Sequence, residues 1–166
     1  MEAPVWIPPG VLQYLRTGRW RSMFTEVKIE GLREYGIVFV PRDVPPPDTP
    51  TVFRSQKIDT DYGSLLRFHV TIDYDEDRKC SVEVWINPMD DLHRSLVESM
   101  LSNGRVYIIC LDRALYVRWY KKIELPEEQR EKIRDQLRKA IDRNTREGFD
   151  FEDALVEAMK ITSPIV

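Results

Sequence analysis

The sequence is poor in the residues that build metal and redox sites, since it contains only two cysteines and two histidines among 166 residues. Cys80 and Cys110 both lie in apolar, strand-like segments, and a disulfide-stabilised scaffold would need more cysteines than this. We therefore expect two reduced thiols that pack as small apolar side chains. His69 and His93 do not form a known zinc-binding spacing, so neither a metal nor another cofactor is predicted.

Glycine-rich loops and long apolar runs are also missing, and both absences disfavour whole classes of protein. The seven glycines are scattered along the chain, whereas a phosphate-binding loop would gather several of them. No segment approaches the ~18 uncharged apolar residues of a membrane helix, and the first residues lack the features of a signal peptide. The motifs of serine hydrolases, zinc proteases and dithiol oxidoreductases do not occur. These absences favour a non-enzymatic, cytoplasmic domain without a membrane partner.

The composition that remains is charged and balanced. Lys and Arg number 25 against 28 Asp and Glu, which gives a net charge of −3. A hydrophobic fraction of 42% is typical of a globular protein, and this length predicts a single domain over residues 1–166. Dedicated nucleic-acid-binding proteins are more often basic, so nucleic acid is a disfavoured partner.

The spacing of apolar residues predicts an α+β domain with a mainly antiparallel, multi-stranded sheet and helices packed on one face. The predicted order is a short helix within an N-terminal arm (residues 1–22), five strands, a helix, two strands and two helices in a C-terminal segment (residues 126–166). A proline-rich loop (residues 41–50) joins two of the strands. This order of elements resembles that of secretion-chaperone-like proteins, and the resemblance implies a dimeric protein-binding module.

Capping residues predict where the helices begin. Asn87, followed by Pro88, predicts the first residues of the middle helix, and Asp150 predicts the start of the last one. The helix that begins near Pro126 has a narrow apolar stripe, which consists of Ile133, Leu137, Ala140 and Ile141.

Two predicted hairpins carry many aromatic and basic residues on their second face. Polar and apolar residues alternate in one hairpin (residues 66–86), and a tight turn at Asp112-Arg113 would close the other and pair Tyr107 with Arg118. If both hairpins belonged to one sheet, its uncovered face would carry Trp85, Tyr107, Tyr116, Arg118, Tyr120, Arg67 and Arg105. Aromatic residues and arginine dominate binding hot spots. The sequence therefore predicts a surface for a protein partner, with a second copy of the chain as one such partner.

Other interpretations of these residues stay open. The N-terminal arm or the proline-rich loop could cover this face instead. Alternatively, the segment RALYVRWYKK (residues 113–122) could stack on single-stranded nucleic acid, although the glycine-containing pattern of RNA-recognition strands is missing. A second basic and aromatic patch would support that hypothesis and consists of Arg16, Arg19, Trp20 and Arg21.

A third hypothesis is an unrecognised hydrolase or transferase that uses His69 and nearby carboxylates. The candidate residues are His69, Asp59, Asp61, Asp73 and Asp75. Oxygen ligands of this kind suit a hard cation such as Mg²⁺, but neither acidic segment has the spacing of a calcium-binding loop. Charged turns between strands are common in any case, because loop tips are solvated.

Overall fold

The computed structural model describes residues 5–6, 22–29, 32–39, 51–73, 79–111, 114 and 116–162. The elements are β1 (Val5–Trp6), β2 (Ser22–Ile29), β3 (Leu32–Phe39), β4 (Thr51–Thr60), β5 (Gly63–Asp73), β6 (Lys79–Ile86), α1 (Asp91–Asn103), β7 (Arg105–Leu111), β8 (Val117–Glu124), α2 (Glu127–Glu147) and α3 (Phe151–Ile161). The predicted α+β class and the two C-terminal helices are confirmed. The predicted N-terminal helix and the proline-rich loop lie outside the described residues.

The described strands form two sheets. One has five strands in the order β1-β2-β3-β7-β8, and all its pairs are antiparallel except β3 with β7. The other is antiparallel throughout, in the order β4-β5-β6. The expectation that both hairpins share one sheet is therefore wrong, because β5–β6 and β7–β8 belong to different sheets. The cause is the long-range pairing of β7 with β3, which no local sequence pattern encodes.

The main core is formed by the three-stranded sheet, strand β7 and helices α1 and α2. Alternation along β5 turns Leu66, Phe68 and Val70 to one face, where all three are fully buried. They belong to one continuous cluster with side chains from α1, β7 and α2, which include Val97, Met100, Leu101, Val106, Ile108, Ile133 and Leu137. The predicted apolar stripe of α2 is thus confirmed.

Helix α3 packs on the opposite face of the three-stranded sheet. Leu65 points away from Leu66 because successive strand residues alternate, and it packs against Ala154 and Ala158 in a second cluster. All three of these clustered residues are fully buried. The prediction placed the helices on one face, whereas α2 and α3 lie on opposite faces of this sheet and α1 contacts β2, β3 and β7 of the other sheet.

The β7–β8 hairpin has a longer connection than the sequence predicts. Tyr107 pairs with Lys122 rather than with Arg118, and the ladder starts at Leu111 opposite Val117, so the predicted two-residue turn is wrong. From Arg105 to Cys110 the register differs from the prediction by four residues, and an even shift leaves these paired residues on their predicted faces. At Leu111 the shift is three residues. The pairing of β7 with β8 also has an irregularity between Cys110 and Leu111.

Helix α1 begins three residues later than predicted. Asp90, not Asn87, is its N-cap, since the Asp90 carboxylate accepts hydrogen bonds from the backbone N–H groups of Leu92 and His93 at 2.8 and 3.2 Å. The Asn87 side chain instead accepts the N–H of Met89 at 2.9 Å. Asn87 therefore closes a turn that precedes the helix.

Candidate functional site

Six side chains on the three-stranded sheet form a surface that we call the polar face: Arg54, Gln56, Arg67, His69, Glu83 and Trp85. They stand in two rows across the strands. In one row His69 lies between Arg54 and Glu83, and in the other Arg67 lies between its neighbours on β4 and β6. This face is the side of the sheet on which α3 packs, because it has the same alternation as Leu65.

Arg67 is the centre of the polar face, and its partners are internal. One guanidinium nitrogen donates to Gln56 Oε1 at 2.9 Å, and another forms an ion pair with Glu83. The guanidinium carbon also lies 5.9 Å from the ring centre of Trp85, within the range of a cation–π contact. Arg67 is only 4% exposed, and a buried arginine needs such partners. Arg67 and Trp85 thus share one face of the sheet, as predicted, but this face is not uncovered at Arg67.

His69 is similarly buried, at 6% exposure. Burial lowers the pKa of His69, the positive charges of Arg67 and Arg54 lower it further, and the carboxylate of Glu83 opposes them. The imidazole is therefore held in its neutral form more strongly than in the unfolded chain. The charged carboxylate opposite His69 is Glu83, which the aspartate-based hypothesis missed. The alternation of residues in β6 could have identified Glu83 from the sequence, because it places Glu83 on the same face as Trp85.

This arrangement gives an expected pH dependence of stability. Because the pKa of His69 is lower in the folded chain, its contribution to stability is present above the unfolded value of 6.5. That contribution is lost as the pH falls towards the lowered pKa of the folded state. We expect the urea midpoint of the chain to fall between pH 7 and pH 5, and His69→Gln to make this fall shallower. Parallel pH profiles for the two chains across that interval would contradict the expectation.

The predicted aspartates do not converge on His69. Asp59 pairs with Ser64, five residues from His69 along β5, which is about 17 Å in a strand. Asp61 lies beyond it, in the turn between β4 and β5. Asp73 is four residues from His69, about 13 Å along the strand, and Asp75 lies outside the described residues. Within the described part of the chain, no group of three or more metal-ligating side chains comes together.

Asp59 has a structural role instead. Its carboxylate accepts hydrogen bonds from Lys57 Nζ at 2.7 Å and from Ser64 Oγ at 2.6 Å. Burial would raise the pKa of Asp59, but these hydrogen bonds and the charges of Lys57 and Arg143 outweigh it and lower the pKa. The carboxylate therefore fixes the β4–β5 turn.

Two side chains of helix α2 also form hydrogen bonds with this turn. Asn144 Oδ1 accepts the backbone N–H of Ser64 at 2.7 Å, and Asn144 Nδ2 donates to the carbonyl of the same residue at 3.0 Å. Arg143 donates to the carbonyl of Thr60 at 2.8 Å and to Ser64 Oγ at 2.9 Å. We call Asp59, Ser64, Arg143 and Asn144 the turn clamp. Its polar groups form hydrogen bonds with one another, so the role of the turn clamp is structural.

The remaining predicted surface residues lie on or beside β7 and β8. Tyr107 is 7% exposed, and its ring centre is 5.9 Å from that of Tyr120. Arg105 is partly buried, whereas Arg118 is exposed and Tyr116 is 73% exposed. Six of the seven predicted residues thus lie in two different sheets, Tyr116 directly precedes β8, and the seven differ widely in exposure. Those that solvent reaches most freely are Tyr116 and Arg118.

The basic segment at residues 113–122 has an ordinary explanation in this fold. β8 is the last strand in the order of its sheet, and outermost strands are protected from unwanted pairing by charged side chains, lysine above all. Lys121 and Lys122 occupy the middle of β8. The second basic patch (Arg16, Arg19, Trp20 and Arg21) lies outside the described residues, so its role stays a prediction.

Helix α3 carries apolar side chains on its solvent side as well as on the side that packs against the sheet. Ala154 and Ala158, its buried residues, face the sheet, whereas Val156 and Met159 are 55% and 52% exposed. An amphipathic surface helix usually turns its larger apolar side chains inwards. Four of the exposed residues of this helix form what we call the outer stripe: Glu152, Val156, Met159 and Lys160. Asp153, which is also exposed, flanks this stripe. Sequence reasoning missed it, although apolar residues on every side of a helix are the signal.

A shallow groove of about 450 Å³ lies between α1 and α2. Leu101 and Leu137 are among the residues that line it, together with Arg134 and Arg138 on one lip. Both arginines form ion pairs with acidic residues of the same helix. The groove therefore lacks the uncompensated charge that would select an anionic ligand.

Comparison with protein-family models, with curated proteins and with solved structures finds no match. Within the described residues, no helix is both long and apolar enough to cross a membrane. The function of this chain has therefore to be inferred from its own surfaces.

Proposed function

We propose that this chain is a non-enzymatic protein-interaction module and that its contact surface is the outer stripe of α3. The observation that carries the proposal is the exposure of two large apolar side chains on this helix, in addition to Phe151 and Leu155, which pack inwards. Its alanines face the sheet, while Val156 and Met159 face solvent and are each more than half exposed. Burial of such side chains is worth about 1.5–3 kcal/mol each when a partner covers them fully.

The interior contacts of the polar face support the same proposal. A substrate-binding site presents polar groups to its ligand, whereas Arg67 and His69 are only 4% and 6% exposed. Arg67 is bonded to Gln56 and Glu83, so its charge is compensated within the fold. These groups stabilise the sheet in this proposal and take no part in catalysis.

The double variant Val156→Glu, Met159→Glu tests the proposal. Both positions are exposed, so we expect the variant to fold with a free energy of unfolding within about 0.5 kcal/mol of the parent. The immobilised parent should capture a partner from a nuclease-treated extract of the source organism, and the variant should lose it. The control is Leu92→Glu, which adds one such carboxylate at an apolar residue that is 65% exposed on α1.

Two outcomes of this capture experiment would contradict the proposal. One is a partner that the parent and the α3 variant bind equally well, and the other is a parent chain that neither captures a protein nor self-associates through α3. The variant Tyr116→Ala, Arg118→Ala tests the predicted sheet surface as an alternative contact surface, because these two residues are its most exposed members. Loss of capture in this variant alone would move the contact surface to β8.

A further inference from the structure

We infer that the partner of the outer stripe is a second copy of this chain, bound by antiparallel packing of the two α3 helices. This inference rests on the proposed function and names the partner for the same surface. Its basis is the order of charges along the helix. Glu152 lies in the first turn and Lys160 in the last, with the exposed Val156 midway between them.

The three positions share one side of the helix. Residues four apart are neighbours on a helix surface, so Glu152, Val156 and Lys160 form one line, about 12 Å from the first residue to the last. Helix α3 turns its buried alanines to the sheet at positions 154 and 158. At about 100° per residue, Val156 points directly away from them and lies at the centre of the outer stripe.

A two-fold axis at Val156 makes this line self-complementary. It places Glu152 of each copy beside Lys160 of the other, so that two opposite-charge pairs flank the central apolar contact. Parallel packing of the helices would instead place like charges together, which costs free energy. A contact of this kind is isologous, with the same patch on both copies.

The apolar part of the contact is small but continuous. Met159 lies one turn from Val156 on the exposed side, and Leu155, which is partly buried in the second cluster, borders them. Helices whose side chains interdigitate approach to about 8–10 Å, close enough to cover these side chains on both copies. A single helix contributes less than the ~800 Å² per partner of a standard interface, so we expect a reversible dimer with a dissociation constant on the order of 10–100 μM.

Sedimentation velocity of the full purified chain between 1 μM and 1 mM tests the inference with charge swaps. Glu152→Lys and Lys160→Glu should each weaken self-association about tenfold, because each turns two attractive pairs into repulsive ones. The double variant Glu152→Lys, Lys160→Glu restores opposite charges at both ends. It should therefore associate within about threefold of the parent, and Val156→Glu should leave a monomer throughout. Circular dichroism checks that each variant is folded.

The outcomes separate this inference from the proposed function. A monomeric parent over the whole range overturns the inference, and so does a dimer that none of the substitutions affects. A double variant as weak as the single variants overturns it as well, because the pairing of Glu152 with Lys160 is then wrong. If the parent is monomeric but captures another protein through α3, the proposed function stands alone. If it is monomeric and shows no α3-dependent capture, both are overturned.

Discussion

Gly63→Ala should destabilise the chain by about 3 kcal/mol, measured by urea denaturation at neutral pH. Gly63 has a φ angle of +125°, a conformation that residues with a side chain rarely adopt. A methyl group at this position would lie 2.3 Å from Phe149 Cδ1 and 2.9 Å from Asn144 Oδ1. Both neighbours belong to the segment that holds the β4–β5 turn, so neither can withdraw without breaking other contacts.

Gly148→Ala is the matched control for this change. Gly148 also has a positive φ, +89°, but a methyl group there would meet nothing within 4 Å. Its substitution should therefore cost only the conformational strain, about 1 kcal/mol. The difference between the two variants measures the steric conflict at Gly63. Equal losses of stability would contradict the close packing of Phe149 and Asn144 against the turn.

Asn144→Ala should have an effect of similar size, a loss of about 3 kcal/mol. The side chain is buried at 3% exposure, and it satisfies both the N–H and the carbonyl of Ser64, which is fully buried. Its removal would leave two buried backbone groups without partners, at about 1–3 kcal/mol for each such group.

Thr145→Ala is the neighbouring control for Asn144. Thr145 is exposed and its hydroxyl donates to a carbonyl of its own helix, so its loss should cost less than about 0.5 kcal/mol. Gly63→Ala and Asn144→Ala act on one contact, so their combination should be less damaging than the sum of the two. An Asn144→Ala chain as stable as the Thr145→Ala chain would contradict the account of the turn clamp.

The elements that sequence reasoning predicted correctly are those that a local pattern encodes. Alternation in β5 and β6 predicts the buried face around Phe68, which is fully buried. The cap at Asp150 is also confirmed, since its carboxylate accepts the N–H of Asp153 at 3.0 Å. The narrow stripe of α2 is correct as well. Its polar residues Gln129 and Gln136 add side-chain hydrogen bonds to carbonyls of β4 at 3.1 and 3.3 Å.

The features that sequence reasoning missed depend on contacts between distant residues. The parallel pairing of β3 with β7 separates the two hairpins into different sheets, and periodicity within one strand says nothing about its neighbours. For this reason the predicted aromatic surface is divided, with Trp85 in one sheet and Tyr107 in the other. The burial of Arg67 was missed because α3 packs on its side of the sheet, and periodicity within a strand does not show which helix covers a face.

The outer stripe was missed for a different reason. Helix α3 has apolar residues on more than one side, and only the contact of Ala154 and Ala158 with Leu65 establishes which side faces the sheet. Before that contact is known, Met159 counts as a core residue. Once it is known, Met159 and Val156 are the exposed apolar residues of the helix.

The measurement that tests the central claim most directly is a methyl NMR titration of the chain labelled at its five methionines. Met159 lies on the outer stripe, and Met100 is fully buried in the main core, so one spectrum contains both the reporter and its internal reference. The spectra are recorded while the captured partner, or unlabelled chain, is added. The account predicts that the Met159 signal shifts or broadens while the Met100 signal stays in place. A Met159 signal that does not change while binding is under way would contradict the claim that α3 is the contact surface.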